Sequence, residues 1–388
     1  MRTHIALVLA GVAALAAGCV YGPKQLEKGH LAYNHAVKSA ADEELLLNIV
    51  RLRYLDTLDF VSTSSISSSL SIGVTGGARG GTDTLSGSHG WLGYGEISYS
   101  TRPTFTFTPQ RGSEFAERLI KPIDLDIIAY LLSSDWDVKM LFHLLVRRLN
   151  GVDNELGLPD SRFNELTDRL SALQASNQLF IGFVSESEAV SEPIEARNVS
   201  GTDLVEAAKA GFRFEAERSG GPLVLTASRS QPVLAIEQGS EDGDAVRSLL
   251  RLAPDRTFYD LEPGTRLGIP SGEQSAISVR TGSLLRAIIY LSQGIAVPEE
   301  HIEQGLTSRE WPPGSQGRVI DNIFKTSISR QRPSALLATR HRGYWFYIPD
   351  DDLTSRFTFF HLAELFRLGL ASGEAQTAPV LTLPVGAP

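Results

Sequence analysis

Residues 65–75 read SISSSLSIGVT and residues 91–109 read WLGYGEISYSTRPTFTFTP. In the first, Ile66, Leu70, Ile72 and Val74 alternate with Ser67, Ser69, Ser71 and Thr75. In the second, Trp91, Ile97, Tyr99, Phe105 and Phe107 alternate with Glu96, Ser98, Ser100, Arg102, Thr104 and Thr106. Period-two alternation places successive residues on opposite faces of a strand. The two stretches therefore predict a long hairpin over residues 62–107, with one apolar and one hydroxyl-rich face. The join, GGARGGTDTLSGSHG at 76–90, has the glycines of a phosphate loop but lacks the closing Gly-Lys-Ser/Thr and opens no helix. It reads as a flexible hairpin tip.

Such a hairpin has two readings. The favoured one is a strand pair lying on a soluble core with its hydroxyl face in water, because Ser68, Gly93, Gly95 and Thr101 thin out the apolar face. The alternative is a stave of an oligomeric outer-membrane pore, since alternation of lipid-facing and lumen-facing residues is what a membrane strand requires. A lone hairpin cannot satisfy its edges in lipid, so that reading demands several copies.

Around the hairpin the pattern is mixed. YNHAVKSAADEELLLNIVRLRY at 33–54 reads as a helix, with Val37, Ala41, Leu45, Ile49 and Leu52 in one stripe, widened by Leu46 and Val50. Arg51 and Arg53 fall at its end, where cations cap carbonyls or stay solvated more often than they bind a partner. Helices follow, divided by Pro122 and by Ser133-Ser134-Asp135. The last has Asp135 or Asp137 as its cap and Val138, Leu141, Leu145 and Leu149 as its face. A further helix spans 160–177. From Leu179 onward LFIGFV, GFRFEAER, PLVLTAS and VLAIE read as short strands between helices, and SALLATRHRGYWFYIP as a hairpin. The helix DDDLTSRFTFFHLAELFRLGL and the apolar segment APVLTLPVG close the chain. The fold class is α+β, with a helical region over 33–178 carrying the inserted hairpin and an α+β domain over 179–388.

The single cysteine, Cys19, follows Arg2, an apolar run from Ile5 to Ala17, and Gly18. The run has the layout of an export signal and is too short for a permanent membrane span. Ala16-Ala17-Gly18-Cys19 resembles the lipobox of bacterial lipoproteins, although the usual leucine three places before the cysteine is here Ala16, with Leu15 one place further out. The resemblance implies a signal peptide over 1–18, cleavage before Cys19 and acylation of its thiol, followed by a tether over 19–32. One cysteine closes no internal disulfide, and acylation accounts for it. The implied partner is a lipid bilayer, held through two or three acyl chains because one alone binds marginally. Val20 stands where an inner-membrane lipoprotein carries aspartate, which points to the outer membrane with the body facing the periplasm.

The chain has 388 residues, 42% hydrophobic and 21% charged, with net charge −9. That balance fits a folded protein and excludes a general nucleic-acid surface, which needs a basic footprint. Catalytic motifs are lacking: there is no His-Glu-x-x-His and no Gly-x-Ser-x-Gly, and no thiol is left for nucleophilic attack. No catalytic residue, metal site or cofactor is expected. Asp350-Asp351-Asp352, with His341 and Arg342 across the hairpin, is the most reactive-looking group, but adjacent carboxylates diverge and helix capping explains them more simply. His361 and Glu364 are placed on the exposed side of their helix, and His143 in the core.

EELLLNIVRLRY, PTFTFTPQRGSEFAERLIKPI, SLLRAIIYLSQGIAVP, RGYWFYIPDDDLTSRFTFFHLAELF and LTLPVG resemble a family of uncharacterised proteobacterial outer-membrane lipoproteins, from about residue 33 to the end. The resemblance implies shared architecture and transfers no activity. A non-catalytic lipid-anchored envelope protein acting in assembly, secretion or scaffolding is expected, with envelope proteins or further copies of itself as partners. The alternative is a periplasmic hydrolase or binding domain for cell-wall material, drawing its acids from separated segments.

Overall fold

The computed structural model describes residues 31–82, 89–154, 161–216, 218, 221–264, 272–311 and 320–371. The proposed signal, Cys19, the tether up to residue 30 and APVLTLPVG lie outside them. The fold is α+β, and the chain divides into two compact units. Unit 1 holds the described residues of Met1–Asn48, Thr57–Phe115 and Arg367–Pro388; unit 2 holds Ile49–Asp56 and Ala116–Phe366. The division read at 178/179 falls inside unit 2, because residues before and after it build one sheet.

Helix α1 runs over 31–53. Leu45, Leu46, Ile49 and Val50 are buried as their spacing predicts, but Ala41 is exposed, so deep packing begins only after residue 44. Strands β1 (Phe60–Thr82) and β2 (His89–Gln110) form a two-stranded antiparallel sheet of their own. The glycine-rich stretch read as a flexible tip is strand through Thr82 and again from His89. Glycine lowers strand propensity without forbidding it, and here the glycine rows continue the ladder of the rows below them.

Unit 2 is built on a larger sheet. Its helices are α2 (Ser113–Ile120, which begins in unit 1), α3 (Leu125–Ser133), α4 (Val138–Leu145), α5 (Ser161–Ala175), α6 (Gly201–Lys209), α7 (Glu241–Leu250), α8 (Leu284–Ser292) and α9 (Glu299–Glu303). Its strands are β3 (Val146–Leu149), β4 (Val152–Asp153), β5 (Leu179–Ala189), β6 (Phe212–Ala216), β7 (Leu223–Ile236), β8 (Phe258–Pro263) and β9 (Ala276–Thr281). They order as β4-β3-β9-β8-β7-β5, with β6 also on β7; β8 and β9 run parallel and the other pairs antiparallel. Asp137 caps α4 by accepting from the Met140 N–H at 2.6 Å. That helix ends at Leu145 rather than continuing through Leu149, since Val146–Leu149 cross over to pair with β9. Leu145, Val146 and Leu149 are buried either way, so a four-residue run could not separate helix from strand. PLVLTAS and VLAIE are one strand, β7, continuous through Pro232; β6 covers 223–227 and β8 covers 233–235, and Pro232 falls between them.

The core of unit 2 is apolar: Leu141, Leu144 and Leu145 of α4, Phe163, Leu166, Leu170 and Leu173 of α5, Val246 of α7, and Ile288 and Leu291 of α8 are all buried. Each such side chain contributes about 1.5–3 kcal/mol on leaving water. A three-stranded sheet, β10 (Ser327–Ser329), β12 (Tyr344–Ile348) and β11 (Leu337–His341) in that order, adds Phe346 and Ile348. Arg342 and Gly343 between β11 and β12 have φ of 46° and 89°, the positive pair that a tight two-residue hairpin turn requires. Helix α10 (Leu353–Ala371) ends the described chain.

Candidate functional site

The hairpin is the candidate. Its base is fixed by α1. Asn48 donates from Nδ2 to the Asp59 carbonyl at 2.8 Å and accepts from the Asp59 N–H at 3.0 Å, while Glu44 accepts from the Val61 N–H at 2.6 Å. Arg111, just past β2, reaches Asp59 at 3.2 Å, and Phe60 meets Phe115 with ring centroids 5.7 Å apart. These contacts hold both feet of the hairpin. Beyond them β1 and β2 pair row by row from Phe60↔Gln110 to Thr82↔His89, and neither pairs with any other described strand. The two outer edges, each more than twenty residues long, thus have no neighbouring strand among the described residues.

One irregularity decides which face is which. The register shifts between Thr63 and Ser65, so Ser64 is a bulge residue without a partner row. Below the bulge Phe60 is 6% exposed and Val61 is 38% exposed. Above it the parity of β1 reverses, placing Ile66, Leu70, Ile72 and Val74 on the face that carries Val61, opposite the one that Phe60 buries. The apolar face of the arm is not a continuation of the face buried at its base.

The other candidates resolve into structural devices. The Tyr54 hydroxyl and His301 Nδ1 share a hydrogen bond at 2.7 Å, and both side chains are buried. Burial pushes the Tyr54 phenol up to about 12 and holds His301 below its ordinary value. Tyrosine therefore keeps its proton and histidine stays neutral, opposite to what proton transfer between them needs. His341 Nε2 and Arg342 Nη2 both lie against Asp56, at 3.1 and 3.0 Å. Thus the partner of His341 and Arg342 is Asp56, which sequence reasoning did not single out. Burial lowers His341, with the Asp56 carboxylate opposing.

Among the three aspartates, Asp352 caps α10 by accepting from the Ser355 N–H at 3.1 Å and its hydroxyl at 2.9 Å. Asp350 accepts from the Leu336 N–H at 3.2 Å. Arg53 is not solvated. It is buried, donates to the Ser308 carbonyl at 2.7 Å and the Thr307 hydroxyl at 3.1 Å, and lies over the Trp311 ring at 5.4 Å. His361 is buried rather than exposed, edge-on to Trp136 with centroids 3.7 Å apart, and Glu364 is half-buried. The exposed positions of that helix include Leu353, Phe357 and Phe360. His143 sits in the core as read, between Thr167 and Tyr290, each at 3.2 Å. An open cavity of about 560 Å³ is lined by Asp244, Arg247, Arg251 and Glu273, but the Arg247 guanidinium is already committed to Tyr259, Asp244 and the Ile236 and Glu237 carbonyls.

Among the described residues no helix is long and apolar enough to cross a membrane. No protein-family model matches this chain, and neither a curated protein nor a solved structure matches it.

Proposed function

We propose that this chain is a non-catalytic envelope protein, anchored to the outer membrane through acylated Cys19, that joins other subunits through its hairpin. The observation that carries the reading is the two-stranded sheet with both long edges unpaired among the described residues. An isolated two-stranded hairpin is at best marginally stable in water, and open edges template pairing with another chain. The anchor rests on the lipobox resemblance around Cys19, and the envelope setting on the lipoprotein-family resemblance of the segments quoted above. Against a hydrolase stands the fate of three of the shifted histidines: His143, His301 and His361 contact Tyr290, Tyr54 and the Phe357 carbonyl inside unit 2, and only His341 has a carboxylate, Asp56, beside it.

The test compares the full lipidated chain with two variants: Cys19→Ser, and an arm deletion joining Ser65 to Thr106 through Asn-Gly. The parent runs in mild detergent at more than one chain's mass and carries lipid label; Cys19→Ser loses the label; the arm deletion keeps the label and falls to single-chain mass. Unchanged assembly without the arm overturns the hairpin's role. Cleavage of cell-wall material by the purified parent overturns the non-catalytic reading.

A further inference from the structure

We infer that copies of this chain pool their β1–β2 hairpins into a closed β-barrel that crosses a bilayer around a hydroxyl-lined aqueous lumen; this rests on the assembly reading above and names the partner as the chain itself. The ladder from Ile66↔Phe105 to Val74↔Ile97 comprises nine rows. About 9 to 11 residues of tilted strand cross a bilayer. Within those rows one face carries Ile66, Leu70, Ile72, Val74, Ile97, Tyr99 and Phe105 together with Ser68, Thr101 and Pro103, and no charge. The other carries Ser67, Ser69, Ser71, Gly73, Ser98, Ser100, Thr104 and a single charge, Arg102. The one cation inside the nine rows therefore falls on the hydroxyl face, as a lumen requires and a lipid face forbids.

A water-exposed sheet face looks different. Soluble strand pairs carry mixed charges on the solvent side and blunt their edges with lysine. Between Phe60 and Gln110 only Arg79, Asp83, Glu96 and Arg102 are charged, and there is no lysine. The bulge removes the soluble alternative's other support, because the arm's apolar face lies opposite the side that the base buries at Phe60.

The edges then fix the partner. In hydrocarbon every backbone group must be bonded, and a closed barrel is the arrangement of strands that achieves it. One hairpin offers two antiparallel edges of 23 and 22 residues, so β1 of one copy can pair with β2 of the next, a head-to-tail contact that closes into a ring. Pro103 withholds one donor from β2, leaving any such ladder at most one bond short there. Two strands per copy give an even-stranded barrel, and the smallest membrane barrels of about eight strands set a minimum of about four copies.

The experiment uses the full lipidated chain, purified in mild detergent and then reconstituted in planar bilayers of phosphatidylcholine and phosphatidylglycerol. The expected results are a mass of about four copies or more, stepwise conductance, and anion preference set by the ring of Arg102 side chains. Arg102→Glu keeps the copy number and moves the reversal potential toward cation preference. Ile97→Arg lowers the number of channels by about thirtyfold or more, whereas Ser98→Arg leaves it unchanged. If Ile97→Arg does not fold, Arg102→Glu still decides. A single-copy mass with the hairpin crosslinked to a different envelope protein overturns this inference and leaves the assembly reading intact. A multi-copy ring that conducts nothing overturns the barrel. A single-copy mass with no crosslinked partner overturns both.

Discussion

Lowering the pH from 7 to 5 is expected to destabilise unit 2 by about 2 kcal/mol through His143 alone. The ring is 2% exposed. His143 Nε2 lies 3.2 Å from the Thr167 hydroxyl, and Nδ1 lies 3.2 Å from the Tyr290 hydroxyl. The neutral ring satisfies both contacts, donating from one nitrogen and accepting at the other. Burial, with Lys139 and Arg286 adding and Asp168 opposing, pushes His143 from its ordinary value down to about 3. The unfolded chain takes up this proton near pH 6.5 and the folded chain does not, so the stabilisation is complete above 6.5 and is lost as pH falls toward 3. The slope is about 1.4 kcal/mol per pH unit, and the interval from 6.5 to 5 gives the figure above. His301, His341 and His361 are shifted in the same direction and add to the loss. Ordinary carboxylates titrate below this window. Urea midpoints at pH 7, 6 and 5 measure the slope, and the His143 ring resonances report its own titration. A flat midpoint, or a native His143 titrating near 6.5, refutes the reasoning.

Three further perturbations follow from particular contacts. Arg53→Met strips two bonds from the 307–308 loop and the cation from Trp311, and is expected to cost about 2–4 kcal/mol in urea unfolding at unchanged m value. Asp352→Ala removes the cap of α10 and is expected to cost about 1–2 kcal/mol, while Asp351→Ala stays within about 0.5 kcal/mol by thermal unfolding. Gly294→Ala places a Cβ 2.2 Å from the Phe324 carbonyl oxygen, and is expected to lower stability by about 2 kcal/mol or more, read as a fall in the urea midpoint.

The elements legible in the sequence are those whose signal is local. Period-two alternation is a backbone property, and it located the hairpin and its outer ends, although β1 runs on to Thr82 through the glycines read as a tip. The heptad-like spacing of Phe163, Leu166, Leu170 and Leu173 located α5 for the same reason. Asp352 as a cap was legible because its acceptors serve the next turn of chain. What failed was long-range or ambiguous in period. Tyr54 and His301 are 247 positions apart, and Arg342 and Asp56 286 apart, so no motif links them. The sequence puts His361 near Glu364, which reads as the polar side of the helix. Trp136, 225 positions earlier in the chain, decides otherwise by packing against the imidazole in a T-shaped pair. The candidate site was legible as an amphipathic hairpin but not in its handedness, since the bulge at Ser64 leaves no mark in a run of serines and threonines.

That bulge also keys the hairpin by count. Because one unpaired residue reverses the parity of β1, the arm's two faces are set by an odd offset from the base, and every later row inherits it. A single-residue insertion or deletion in either strand exchanges the two faces of that strand beyond it and leaves the partner strand unmatched. Length can be altered without that exchange only when two residues are gained or lost in β1 together with two in β2, a step of about 7 Å. Divergent copies of this sequence are therefore expected to differ in arm length by multiples of four residues. A lineage that loses Ser64 must regain an odd residue elsewhere below Ile66 to keep the same face toward the same surroundings.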